Sequence, residues 1–310
     1  MSMNQSVLIC DQVNPVLNEI LEKNGLQITY EPEITPEQIL EKIENFEVII
    51  VRSRTKITKD MIEKANKCQI IARVGVGLDN IDQAAAKEKN IRVINAVEGA
   101  MNAVAELVLG LMLSLAREIP RADREVRNGN WIKKELMGTE LRGKYLGIVG
   151  LGNIGKRLGR LARALNMNII GYDVVPIDEE FSSEVGLMKA DLGTLLASSD
   201  YVSLHVPLLD STKHLINAEK MSTMKNTSRI INTSRGGVID EDALYEFLKD
   251  GKLGGAALDV FEVEPATSNK LASLPNFIST PHMGAQTKEA QSLAANVIAE
   301  KIIQILRGVT

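Results

Sequence analysis

Three histidines occur in the 310-residue chain, at positions 205, 214 and 282, and the third has the setting for proton transfer. His282 lies in Thr280-Pro281-His282-Met283-Gly284-Ala285, just beyond a β-branched run that reads as a strand. Open α/β sheets carry their chemistry at such carboxyl ends. Arg235 sits in Asn232-Thr233-Ser234-Arg235-Gly236-Gly237, also just past a strand, and Glu264 follows Ala257-Leu258-Asp259-Val260-Phe261. A glutamate beside a histidine raises the proton affinity of the imidazole and fixes its tautomer, giving a general acid/base near neutrality. An arginine supplies the cation that a carboxylate substrate needs. The three together suit hydride transfer at a carbon bearing oxygen. Singly, each also fits a plainer role: a capping histidine, a surface glutamate, a structural arginine.

A partner for that chemistry is written at residues 150–155. Gly150-Leu151-Gly152-Asn153-Ile154-Gly155 follows an apolar strand and opens a helix pattern. In a GxGxxG turn the first glycine permits the tight turn, the second lets backbone approach a pyrophosphate, and the third allows close helix–strand packing. The free N–H groups of the helix start then face the phosphates. Asp173 closes the next strand, 18 residues after Gly155, where a carboxylate can accept from ribose hydroxyls. The same carboxylate repels a 2′-phosphate and no arginine follows it, so NAD is expected over NADP.

A second group of cations, Arg52, Arg54, Lys56 and Arg73, stands at two neighbouring strand ends nearer the N-terminus. One carboxylate needs one cation, which Arg235 provides. Arg52 and Arg73 therefore suggest a second anionic group on the substrate, most simply a phosphate. Arg54 and Lys56 read as a solvated rim.

The elements that must hold these residues alternate regularly. Val7–Cys10, Ile28–Tyr30, Val48–Val51, Gln69–Arg73 and Arg92–Ile94 read as strands of a first unit. Tyr145–Val149, Asn168–Tyr172, Tyr201–Leu204, Arg229–Asn232, Ala256–Val260 and Phe277–Ser279 read as six strands of a second. Helix signals lie between them: Thr35-Pro36-Glu37-Gln38 is a capping box with proline at its first helical position, and Asn24-Gly25 is a stop. The pattern predicts an α/β chain of two doubly wound parallel-sheet domains. A long apolar helix, about Ala100 to Asn128, joins them, and a last helix, about Lys288 to Arg307, returns to the first. The expected limits are residues 1–97 with 286–310 for a substrate domain and 98–285 for a dinucleotide domain.

Composition sets the remaining bounds. Apolar residues make up 45% and charged residues 25%, and the formal net charge of −4 gives no general attraction to nucleic acid or anionic membrane. Cys10 and Cys68 fit no metal or redox spacing and read as buried apolar residues, so no metal is expected. The run Ala103–Ala116 contains Glu106 and is too short to span a bilayer, and the N-terminus lacks the features of a signal peptide. The expected location is the cytoplasm. Because Ala103–Ala116 is apolar nearly all round, a homodimer formed through that helix is expected.

The segments NTSRGG, ALDVFEVEP and STPHMGA, with GLGNIG upstream, resemble the D-2-hydroxyacid dehydrogenase family over essentially the whole chain. Within it, Val51-Arg52-Ser53, Arg73–Asn80 and Met137–Leu141 are most similar to the 3-phosphoglycerate dehydrogenases. The resemblance implies a flavodoxin-like substrate domain and a Rossmann NAD-binding domain. It implies that Arg235 binds the carboxylate and keto oxygen, His282 shuttles the proton and Glu264 orients His282. NAD would be lined by Asn153, Ile154, Asp173, Val206, Pro207, Thr233, Ser234, Asp259, Gly284 and Ala285, with Asp259 facing the nicotinamide amide. The loop Arg73–Gly77 would close over the ligands, with Arg52, Ser53, Arg73, Gly75 and Val76 on the substrate and Val76 near NAD. The implied reaction is oxidation of D-3-phosphoglycerate to 3-phosphohydroxypyruvate. The alternatives are a glyoxylate or hydroxypyruvate reductase and, more remotely, an NAD-responsive corepressor. Formate dehydrogenases carry glutamine where this chain has Glu264. The regulatory domains of longer relatives are expected to be absent after Thr310.

Overall fold

A computed structural model describes residues 4–308, and the expected absence of regulatory domains after Thr310 lies outside the described residues. The chain divides into two compact units, one running up to Met101 and resuming at Ala285, the other comprising Asn102–Gly284. The sequence pattern places these limits at 97/98 and 285/286.

In the first unit, β1 (Ser6–Ile9), β2 (Gln27–Tyr30), β3 (Val48–Val51), β4 (Ile70–Arg73) and β5 (Arg92–Asn95) form one parallel sheet in the order β2-β1-β3-β4-β5. This is the flavodoxin-like order. The period of two along a strand sorts side chains onto two covered faces. Val7, Ile9, Val48 and Ile50 pack with Leu17, Leu21, Ile298 and Ile302, while Leu8, Cys10, Ile49 and Val51 pack with Ile39, Ile43 and Ile62. The helix Lys288–Leu306 thus closes one face of a sheet whose strands lie far earlier in the chain, the last of them ending at Asn95. The capping box at Thr35 and Gln38 forms as expected. Both cysteines are buried, and desolvation pushes each thiol up to about 12, so they behave as small apolar groups.

The second unit holds β6 (Tyr145–Val149), β7 (Asn168–Tyr172), β8 (Met188–Lys189), β9 (Tyr201–Leu204), β10 (Arg229–Asn232), β11 (Gly255–Leu258) and β12 (Phe277–Ser279). All run parallel in the order β12-β11-β10-β9-β6-β7-β8. The sequence predicts six strands here. The one it misses is β8, two exposed residues long, which has neither the length nor the burial to leave an apolar pattern. Counted from β6, the order is the Rossmann one with an added strand, and it reverses between β6 and β9.

The long helix expected over Ala100–Asn128 is two helices, Val97–Arg117 and Ile119–Arg127. Glu118 adopts a left-handed φ of 51° between them, and Pro120 stands in the first turn of the second. Proline has no N–H to continue the first helix and its ring clashes with the preceding turn. At 21 residues, Val97–Arg117 is the one helix among those described that is long and apolar enough to cross a membrane, contrary to the length expectation. Val108, Met112, Leu115 and Ala116 on it are buried against Leu146, Ile148 and Ile231, so from Asn102 onward it belongs to the core of the second unit. The first unit depends in the same way on Ile298, which is fully buried. Ile298→Ala should lower stability by about 2–5 kcal/mol, read as a reduced urea midpoint.

Candidate active site

The turn after β6 owes its shape to two contacts that only glycine permits. Gly150 has φ +93°, and a Cβ on it would stand 2.5 Å from the His205 carbonyl oxygen. A Cβ on Gly155 would stand 2.1 Å from the Gly150 oxygen. Around Gly152, by contrast, a Cβ would meet nothing within 4 Å. The helix Asn153–Ala164 starts there with no side chain capping its free N–H groups. That is an open anion-binding end. Asp173, one residue past β7, accepts from the Leu151 N–H through Oδ2 at 2.6 Å and from the Val175 N–H through Oδ1 at 3.2 Å. Asn153, Ile154 and Asp173 therefore belong to one strand-end cluster.

At the end of β9, His205 is held by Ser203, Oγ to Nε2 at 2.9 Å, and desolvation pushes its imidazole down to about 4. It is neutral at physiological pH and precedes Val206 and Pro207 as a structural group. His214 pairs with Glu262 at 3.0 Å. That leaves His282.

At the end of β10, the buried Asn232 shapes the next turn. Its Oδ1 accepts from Ser234 N at 3.0 Å and Ser234 Oγ at 2.7 Å, and its Nδ2 donates to the Arg235 carbonyl at 2.8 Å. Sequence reasoning assigns Asn232 no role; its place two residues before Ser234, where an Asx turn forms, is the available signal. Thr233 Oγ1 is buried with no hydrogen-bond partner among the described residues, a hydroxyl left for a ligand atom to satisfy. Arg235 Nη1 donates to Ser234 O at 2.6 Å. Gly236 lets this turn lie against the next one: a Cβ there would stand 1.8 Å from Phe261 O.

The turn after β11 carries Glu264. Its Oε1 accepts from Phe261 N at 3.1 Å and its Oε2 meets His282 Nδ1 at 2.8 Å. His282, at φ +52°, sits in a turn folded round Asp259. Asp259 is fully buried and accepts from Thr280 Oγ1 at 2.6 Å, Met283 N at 2.8 Å and Gly284 N at 2.9 Å. With Nδ1 engaged by Glu264, Nε2 is the nitrogen left to exchange a proton. The turns bearing Arg235, Glu264 and His282 thus stand at adjacent strand ends, β10, β11 and β12 being neighbours. Ala285 opens the returning segment of the first unit, its carbonyl accepting from Gln291 Nε2 at 2.8 Å.

In the first unit the four cations separate. Arg54 ion-pairs with buried Asp11 at 3.1 Å and donates to the carbonyls of Ile34, Pro32 and Cys10. Its side chain is 46% exposed, as a rim residue should be, yet its guanidinium is also a staple: four acceptors surround it because the ends of β1, β2 and β3 converge there. Lys56 and Ser53 are exposed. Arg73 donates through Nε to Arg52 O at 3.2 Å and through Nη1 to Gly77 O, which shapes the loop containing Gly75 and Val76. Arg52 is different. Among the described residues its guanidinium, with five donors available, gives one hydrogen bond, Nη2 to Gln286 Oε1 at 3.1 Å. Desolvation pulls its proton affinity down, with Asp11 opposing.

Residues 109–284 match the D-isomer specific 2-hydroxyacid dehydrogenase, NAD binding domain, family. The chain is 47% identical to the D-3-phosphoglycerate dehydrogenase of Methanocaldococcus jannaschii over 97% of its own length and 57% of that protein's. It thus spans little more than half of that relative. It is 46% identical to the hydroxypyruvate reductase of Thermotoga maritima over 93% of each chain. A glyoxylate reductase from Paecilomyes thermophila superposes with a TM-score of 0.90 at 29% identity, over 98% of this chain and 95% of that one.

The residues at these strand ends fit an NAD molecule by their own chemistry: an open helix start, unfilled space at Gly152, a carboxylate past β7 and an orphaned hydroxyl at Thr233. The contact of Gly236 with Phe261 yields a direct test. Gly236→Ala should cost about 1–3 kcal/mol in stability and depress turnover further than stability alone explains, because Arg235 and Glu264 are forced apart. Unchanged kcat in the folded variant would show that the contact does not set the site.

Proposed function

Because the chain belongs to the D-isomer specific 2-hydroxyacid dehydrogenase family, we propose that it oxidises the C2 hydroxyl of D-3-phosphoglycerate, yielding 3-phosphohydroxypyruvate, the first step of serine biosynthesis. NAD, when bound, supplies the hydride acceptor. The loop Gly150–Gly155 and Asp173 would hold its pyrophosphate and ribose, and Val206, Pro207, Thr233, Ser234, Asp259, Gly284, Ala285 and Val76 its remainder. Arg235 binds the substrate carboxylate and the C2 oxygen. His282 takes the hydroxyl proton at Nε2, and Glu264, held to Nδ1 at 2.8 Å, stabilises the imidazolium that results. Arg52, with Arg73, Ser53 and Gly75, receives the phosphate. The observation that carries the phosphate reading is the guanidinium of Arg52, partly desolvated and with most of its donors unspent. A second reading, turnover of unphosphorylated hydroxypyruvate or glyoxylate, is supported by the relative from Thermotoga maritima, which this chain matches over 93% of its length.

The deciding experiment follows nicotinamide absorbance over 2-hydroxy and 2-keto acids with and without phosphate, each with NAD and NADP. A kcat/KM for 3-phosphoglycerate well above that for glycerate, and for NAD above NADP, is expected. His282→Ala should lose about 10²–10⁴-fold in kcat while NAD affinity holds, and Glu264→Gln should move the pH profile of kcat/KM. Equal rates with both cofactors would remove Asp173 from its assigned role.

We further propose a cytoplasmic homodimer with no nucleic-acid or membrane partner. Its support is apolar surface that one chain leaves bare: Leu113 is 40% exposed, Val126 56%, Trp131 82% and Met137 87%. Light scattering should give a dimer mass, and Trp131 fluorescence should shift to the red on dilution; a concentration-independent monomer overturns this.

A further inference from the structure

Asp11 lies two residues past β1 and, at 2% exposure, is the one buried carboxylate of the first unit among the described residues. Its two oxygens serve one loop, the four residues that leave β3. Oδ1 accepts from Thr55 Oγ1 at 2.7 Å and pairs with Arg54 Nε at 3.1 Å. Oδ2 accepts from Thr55 N at 3.3 Å and from the N–H of Arg52. Asn80 completes the arrangement from the far side, its Nδ2 donating to the carbonyls of Arg52 at 2.9 Å and Thr55 at 2.6 Å. The backbone of Arg52 is therefore fixed on both its N–H and its C=O, while its guanidinium keeps one bond, to Gln286.

Two arginines two residues apart compete for one buried carboxylate, and the geometry decides between them. Arg54 takes the ion pair and spends its other donors on three carbonyls. Arg52 gives Asp11 only its backbone N–H. Had the pairing been reversed, the cation nearest Gln286 would be neutralised. The four-residue loop carries two guanidinium charges and Asp11 offsets one, which leaves a single positive charge, located on Arg52.

We propose that Asp11 is a specificity-determining positioning residue: it commits Arg54 to structure and so presents Arg52 as the receptor for a substrate's phosphate group. This role rests on the phosphate reading of Arg52.

Asp11→Asn is nearly isosteric, yet both carboxylate oxygens face donors. Whichever way the amide is turned, an NH2 group meets an N–H. Loss of order should then fall on the loop after β3. The measurement is the ratio of kcat/KM for 3-phosphoglycerate to that for glycerate, with the KM for NAD as a control. General damage to the fold lowers both values alike and leaves the ratio standing. The ratio should fall at least about tenfold in Asp11→Asn and several-fold in Thr55→Val, which removes one bond to the same carboxylate, with charge-assisted bonds worth about 10- to 150-fold each. Arg52→Ala separates the two claims. If that variant keeps the wild-type ratio, the phosphate reading is wrong and the Asp11 role goes with it. If Arg52→Ala collapses the ratio while Asp11→Asn retains it, the Asp11 role alone is wrong. Should Asp11→Asn yield no folded protein, Thr55→Val and Arg54→Gln decide: a wild-type ratio in both overturns the proposal.

Discussion

A carboxylate taken out of water costs several kcal/mol unless its lone pairs are met by donors in good geometry, and Asp259 turns that requirement into architecture. Fully buried past β11, it finds its donors in Thr280, Met283 and Gly284, on the turn after the neighbouring strand. Those three bonds leave the chain one course between residues 280 and 284. His282, inside that course, takes a left-handed backbone that a histidine adopts seldom. From there its Nδ1 reaches Glu264, itself held by the Phe261 N–H. The His282–Glu264 pair is thus half-exposed at the imidazole and held at its base.

Close backbone approach is the second condition. A parallel sheet delivers every strand end to one side, so the turns after β6, β9, β10 and β11 crowd together. They fit because a side chain is missing at three points of contact. Gly150 lies against the turn after β9, Gly155 against Gly150 itself, and Gly236 against the turn bearing Glu264. Asn232, the last paired residue of β10, bonds the backbone of Ser234 and Arg235 with its side chain and so curls the Arg235 turn. The residues with chemistry are few, and the residues that make room for them are glycine, asparagine and aspartate.

The first unit applies the same device with a different result. Asp11, like Asp259, is buried at a strand end and gathers a neighbouring loop, but here the loop carries two arginines. Burial of one acid beside two cations forces a division: one guanidinium becomes part of the scaffold and the other stays available. An arginine's type says nothing about which it will be. Its neighbours' lone pairs do.

Much of this protein is legible in the chain itself. Apolar runs such as Val48–Val51 announce doubly covered strands, because each face of a parallel sheet needs its own core. The glycine spacing at 150–155, the carboxylate at 173, and Arg235, Glu264 and His282 just past strands are local features, and local features survive in sequence. The features that sequence does not yield depend on neighbours far along the chain. The strand β8 is too short and too exposed to carry a pattern, and only the edge of β7 makes it a strand. The long helix breaks at Glu118, where apolarity on one side and charge on the other mask the signal of a proline two residues on. Arg54 is exposed as its own segment suggests, but its ion pair is hidden there, since nothing in Arg52-Ser53-Arg54 reveals an aspartate over forty residues earlier. The roles of Asp11 and Asn232, and the sorting of three histidines into a half-buried one held by Ser203, one paired with Glu262 and one held by Glu264, are likewise decided by tertiary structure. Sequence spacing determines which groups can stand at a strand end. Burial and the demand that every buried polar atom find a partner determine which of them remain free to act.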